Sequence, residues 1–212
     1  MLDAASTYAR TAESNPSAFI NGGQQALVDQ AREKLASYVH APRGSQDIVL
    51  IENASGGINS ILRSLGLRQG DVLLILSSAY GPFLAFYEYL VRTLGIKVVT
   101  VPLQWPLSGP EDVLDPWIAA LDSISADPAF SDAKKVAVMS HISSYPAVVM
   151  PVVNAVAAAR ERGFISIIDG AHCLGNLVIN ISQIDPDFYF ANGHKWSANY
   201  LSEYTRRVLV TD

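Results

Sequence analysis

The 212-residue chain is half hydrophobic and 17% charged, with a net charge of −5 and a single cysteine. That composition excludes general disorder and an intrachain disulfide, and it offers no basic footprint for nucleic acid. The length suits one domain, or most of one, with a sizeable core. The opening MLDAASTYARTAESN has no cationic stretch followed by an apolar one, so a secretory signal is not indicated. The longest weakly polar stretch, residues 146–159, is too short to span a bilayer. The expectation is a cytoplasmic protein without a membrane partner.

Residues 1–22 are polar and small and read as an irregular or helical arm. In the following QQALVDQAREKLASYVH, residues Ala26, Leu27, Ala31, Leu35 and Tyr38 recur at helical spacing, and Pro42-Arg43-Gly44 ends that helix. Residues 47–52 (DIVLIE) read as a strand, and the small-residue turn 53–57 opens a helix over 58–67. A second strand over 71–76 turns through Tyr80-Gly81-Pro82 into an aromatic-faced helix over 83–94. A strand over 97–103, a helix over 111–124 and a strand over 135–140 follow. The loop 141–146 then leads to a helix over 151–162 and a strand over 164–168. Strands alternating with helices predict an α/β fold, a mainly parallel sheet with helices on both faces.

Two apolar runs carry the chemistry. One ends in Asp169-Gly170-Ala171-His172, the other (Phe188-Tyr189-Phe190) in Asn192-Gly193-His194-Lys195-Trp196. Each places a charged residue just past a strand's C-terminal end, where open α/β sheets bind ligands. A Lys amine and an Asp carboxylate delivered this way suit pyridoxal 5'-phosphate (PLP), which needs a Schiff-base lysine and a carboxylate for its pyridine nitrogen. Taken singly, Lys195 also reads as a surface lysine and Asp169 as a turn residue. The turn at 53–57 lacks the spacing of dinucleotide and nucleotide loops, which argues against a nucleotide-binding protein. His194 has no second His or Cys at ligand spacing, so no metal site is expected.

DGAH followed by DFYFANGHKW resembles the cofactor signature of the class V aminotransferase group of fold-type I PLP enzymes. That group includes cysteine desulfurases, isopenicillin N epimerase-like proteins and hercynylcysteine sulfoxide lyases. The resemblance runs from about Pro16 to Trp196 and implies the large domain of a fold-type I PLP-dependent transferase. It implies that Lys195 carries PLP and moves protons at the substrate α-carbon, that Asp169 holds the pyridinium, and that His172 contacts the phenolic oxygen. Ala54 (through its backbone) and Ser55 fall at the phosphate, with Asn192 and His194 beside them. Tyr80 falls where a ring stacks on the cofactor. Ser144 falls near the phenolic oxygen, with Ser143 and His141 as alternatives. Cys173 reads as a buried small residue and not as a persulfide-forming cysteine.

The resemblance also sets the expected organisation: an arm over 1–22, a PLP-binding domain over 23–197, and a divergent tail over 198–212 where relatives continue into a C-terminal small domain. The implied activity is C–S cleavage of a cysteine-derived amino acid by a homodimeric lyase, or an epimerase or aminotransferase reaction. The rival expectation is a catalytically inactive PLP-binding fragment or a partner of a full-length relative.

Overall fold

Five short runs rich in Val, Ile, Leu and Phe pair into one sheet; all but the edge run over 97–101 are almost wholly buried and covered from both sides. They are β1 (Val72–Leu76), β2 (Lys97–Val101), β3 (Lys135–Ser140), β4 (Ile165–Gly170) and β5 (Phe188–Ala191). The computed structural model describes residues 2–195; Trp196 and the tail expected over 198–212 lie outside the described residues. All pairings are parallel and the strand order is β2-β1-β3-β4-β5.

The helices, in chain order, are α1 (Leu2–Ser14), α2 (Pro16–Ala18), α3 (Gln24–Tyr38) and α4 (Ala54–Ser64), with a π turn at Phe19–Gly23 between the second and third. They continue with α5 (Gly81–Leu94), α6 (Glu111–Ala126), α7 (Val152–Glu161) and α8 (Ile181–Ile184). Side chains alternate across the strands, so each strand feeds two cores. Leu74, Leu76, Ala137 and Met139 pack with Trp117 and Leu121 of α6 and Val156 of α7. Leu73, Ile75, Val138 and Ile167 pack with Ile58 and Leu62 of α4 and Tyr87 and Leu90 of α5. The expected α/β layering, with helices on both faces of a parallel sheet, is the observed one. No helix among the described residues is long and apolar enough to cross a membrane.

The strand order creates the site's location. From β1 the chain crosses outward to β2, and from β3 it crosses the opposite way to β4, so a crevice opens between β1 and β3 at their C-terminal ends.

Three local expectations are corrected. Residues 47–52 are not a strand: a 3₁₀ turn occupies Gly44–Asp47. The buried Asp47 carboxylate accepts from the Arg43 backbone N–H at 2.8 Å and its Nε at 2.6 Å. The Ile48 carbonyl accepts from Arg32 Nε at 2.7 Å, so a side chain replaces the ladder a strand would need. The helix before it ends at Tyr38, ahead of Pro42-Arg43-Gly44. Asp169 is the penultimate residue of β4, paired in register with Ser140 and Phe190, and does not follow the strand.

Candidate active site

Asp169 lies two residues beyond Ile167 and therefore on the sheet face that α4 and α5 cover. It is only 6% exposed. Burial pushes its carboxyl up from the usual 3.8 to about 6, against the opposing pull of the Ala171 N–H, the Lys195 charge and the Ser140 hydroxyl. The Ala171 N–H donates to its Oδ1 at 2.9 Å. Lys195 closes a 3₁₀ turn, Gly193–Lys195, just after β5. Its Nζ lies 2.9 Å from His172 Nε2 and 5.8 Å from the centroid of the Tyr80 ring. Burial lowers the Lys195 pKa below 10.5, and the Asp169 charge works against that. His172 is lowered below 6.5 by burial and then by the Lys195 charge, with a hydrogen bond to the Ile142 backbone acting in the other direction.

The opposite wall is the N-terminus of α4. Asn53 caps it, its side chain accepting from the Gly56 N–H at 2.9 Å while its carbonyl accepts from Gly57 N–H at 2.9 Å. The Ala54 N–H donates to Asn192 Oδ1 at 2.9 Å, so it is engaged inside the protein. The Ser55 N–H meets no acceptor among the described residues. Helix N-termini favour anions through such open N–H groups and the helix dipole.

Between these walls lies a cavity of about 550 Å³. Asp169, His172, Lys195 and Tyr80 line it, as do Ala54, Ser55, Ser144, Asn192 and His194. The structure thus brings every candidate residue to one space. It also separates the alternatives left open around Ser144. Ser143 is fully buried, its hydroxyl donating to the Pro146 carbonyl and accepting from Val148 N–H. His141 turns away, its Nδ1 3.0 Å from the Tyr189 hydroxyl, and burial pushes it down to about 4. Of the three, Ser144 faces the cavity. Cys173 is fully buried, and burial pushes its thiol up to about 12.

Asn53, Phe83 and Ala171 also line the cavity, and Ser140 supports Asp169 from the neighbouring strand. The cap at Asn53 was accessible from its position before a run of small residues. Ser140 was not, because only the β3–β4 register sets it beside Asp169.

The aminotransferase class-V family profile matches residues 1–199. The chain belongs to that family. A putative L-cysteine desulfhydrase of Oryza sativa subsp. japonica is 31% identical over 204 residues, covering 92% of this chain and 42% of the rice protein. An L-cysteine desulfhydrase-like protein of Epichloe uncinata is 29% identical over 184 residues, covering 87% of this chain and 39% of its own. Among solved structures, a C-DES mutant with glycine covalently linked to its PLP cofactor is similar at TM-score 0.78 and 20% identity. That likeness covers 99% of this chain and 51% of the other and establishes the shared fold. This class-V chain spans about 40% of the length of the curated relatives just named.

Proposed function

We propose that this chain forms the PLP-binding domain of a lyase that cleaves the carbon–sulfur bond of a cysteine-derived amino acid. The observation that carries the reading is the meeting of Asp169, Lys195 and the α4 N-terminus around one cavity of about 550 Å³. The donor set suits the group: a buried carboxylate for a ring-nitrogen cation, a primary amine for an aldehyde, an N–H and hydroxyl at Ser55 for a phosphate, and the Tyr80 ring for a flat heterocycle. When bound, PLP supplies an electron sink for negative charge developing at the amino acid's α-carbon.

The chain's own residues divide the remaining work. Asp169, ionised beside a cation, would hold the ring nitrogen protonated and offset the burial that otherwise raises its pKa. At Lys195 burial lowers the pKa and so favours the uncharged amine that would accept a proton at the α-carbon. His172, 2.9 Å away, can take that proton from Nζ or return it. Ser144 and Tyr80 border the same space and orient the ring. The desulfhydrase names of two relatives support the sulfur-bearing substrate, and isopenicillin N epimerases at 28% and 29% identity keep the epimerase branch beside it. The same reading includes a ligand domain over 23–197, a tail over 198–212 and a homodimer, carried by the family resemblance, and an arm over 1–22 and a cytoplasmic setting, carried by composition.

One observation favours a second reading, a domain that binds PLP without turning over substrate. Among the described residues no arginine lines the cavity, so the bidentate fork that would grip a substrate carboxylate is not supplied there.

The test uses the purified chain and Lys195→Ala, each with added PLP, followed by borohydride reduction, mass spectrometry and a sulfide assay with L-cysteine. Covalent PLP at Lys195 with release of sulfide and pyruvate supports the first reading. Attachment without sulfide supports the second. Equal spectra in the two proteins, with no label at position 195, would discard both.

A further inference from the structure

We propose that Asn192 is a positioning residue that acts through Ala54, setting the α4 N-terminus so that Ser55 presents its N–H and hydroxyl to the ligand's anion. The inference rests on the PLP reading above, and it assigns Asn192 a role other than direct grip of the phosphate. Asn192 is 5% exposed and follows β5 directly. Its side-chain oxygen accepts from the Ala54 N–H at 2.9 Å, across 138 residues of sequence. That bond ties the first residue of α4 to the segment that, three residues later, delivers Lys195. The two ends of the site are therefore held in register by one buried hydrogen bond.

The accounting of α4's leading N–H groups explains why the tie matters. Ala54 gives its N–H to Asn192, Gly56 to the Asn53 side chain, and Gly57 to the Asn53 carbonyl. Among the described residues the Ser55 N–H is the one of this turn without an acceptor, so its direction toward an anion depends on how the residue before it is held. The body of α4 has other support, because Ile58, Ile61 and Leu62 are buried against the sheet. Loss of the Asn192 bond would therefore loosen the first turn and leave the helix in place. Its consequence falls on the anionic end of a ligand and spares the amine end.

The discriminating comparison is PLP against pyridoxal, which lacks the phosphate. Each aldehyde condenses with Lys195 Nζ with loss of water, and borohydride reduces the linkage to a stable secondary amine that mass spectrometry counts. In the parent chain PLP is expected to label Lys195 at lower concentration than pyridoxal. Asn192→Ala is expected to reduce that preference about tenfold, the equivalent of one buried hydrogen bond left unmade, with pyridoxal labelling unchanged. Amide hydrogen exchange without ligand is the second readout: Ala54 and Ser55 should exchange faster in the variant, while Ile61 and Leu62 stay protected. Asn192→Ser, a smaller change, is read in the same way should the alanine variant not fold. Equal loss for both aldehydes overturns the inference, as does a lost preference with unchanged exchange at Ala54 and Ser55, which would mean direct contact. A parent chain without PLP preference overturns it too. Failure of the parent to label Lys195 with either aldehyde is a different result, and it removes the PLP reading itself.

Discussion

Lys195 Nζ and His172 Nε2 stand 2.9 Å apart, close enough that one nitrogen must offer a lone pair to the other. Protonating both is therefore opposed; burial lowers both pKa values, and at His172 the Lys195 charge adds to that. The Asp169 charge pulls the other way at Lys195. Removing it in Asp169→Asn should move the Lys195 titration further below 10.5. Reductive methylation with formaldehyde, followed at Lys195 by mass spectrometry over a pH series, reads the midpoint directly. A midpoint that rises in the variant would sink this account of the site's electrostatics.

Two buried groups should give opposing slopes of stability with pH. Asp169 has a native value of about 6 against the usual 3.8, so the native state binds the extra proton between them and stability falls as pH rises through that window. His141 has a native value of about 4 against the usual 6.5, so the unfolded state binds the extra proton and stability rises with pH over nearly the same range. Each slope amounts to roughly 3 kcal/mol in total at about 1.36 kcal/mol per pH unit. These two contributions should therefore nearly cancel in the parent chain. Asp169→Asn should lose stability steeply on acidification, and His141→Gln should gain it. Urea denaturation at several pH values checks all three proteins, and parallel curves would contradict the assignment.

Gly170 is required by Tyr189 and not by a backbone angle. A Cβ there would overlap the Tyr189 ring at Cε1, Cζ and Oη, and that ring is fully buried and hydrogen-bonded to His141. Gly170→Ala should destabilise the chain by about 3 kcal/mol, the upper range for overpacking a core. In a Tyr189→Leu background the same substitution should cost much less, because the obstructing ring atoms are gone. Thermal or chemical denaturation of the four proteins gives the coupling, and additive losses would count against the contact.

Much of the fold was legible because its signals are local. The continuous apolar runs at 135–140 and 164–168 mark strands buried on both faces, and the spacing around Leu35 reflects the 3.6-residue period set by helix geometry alone. DGAH and ANGHKW likewise carry their residue types in short order, so Asp169, His172 and Lys195 could be singled out before any coordinates. Residue order alone specifies this inventory of elements and chemistry. Residues 47–52 show where local pattern stops: DIVLIE has the composition of a strand, but Arg43 and Arg32 take the Asp47 carboxylate and the Ile48 carbonyl before a neighbouring strand can.

How the parts meet follows from long-range packing. The β2-β1-β3-β4-β5 order opens the crevice, and the β3–β4 register sets Ser140 beside Asp169. The packing of loop 141–146 leaves Ser144 facing the cavity while Ser143 and His141 turn inward. The bond from Ala54 to Asn192 joins residues 138 apart. A contact of that separation leaves no trace in local periodicity, because it depends on closing a long loop whose ends are brought together by the sheet and its two buried cores.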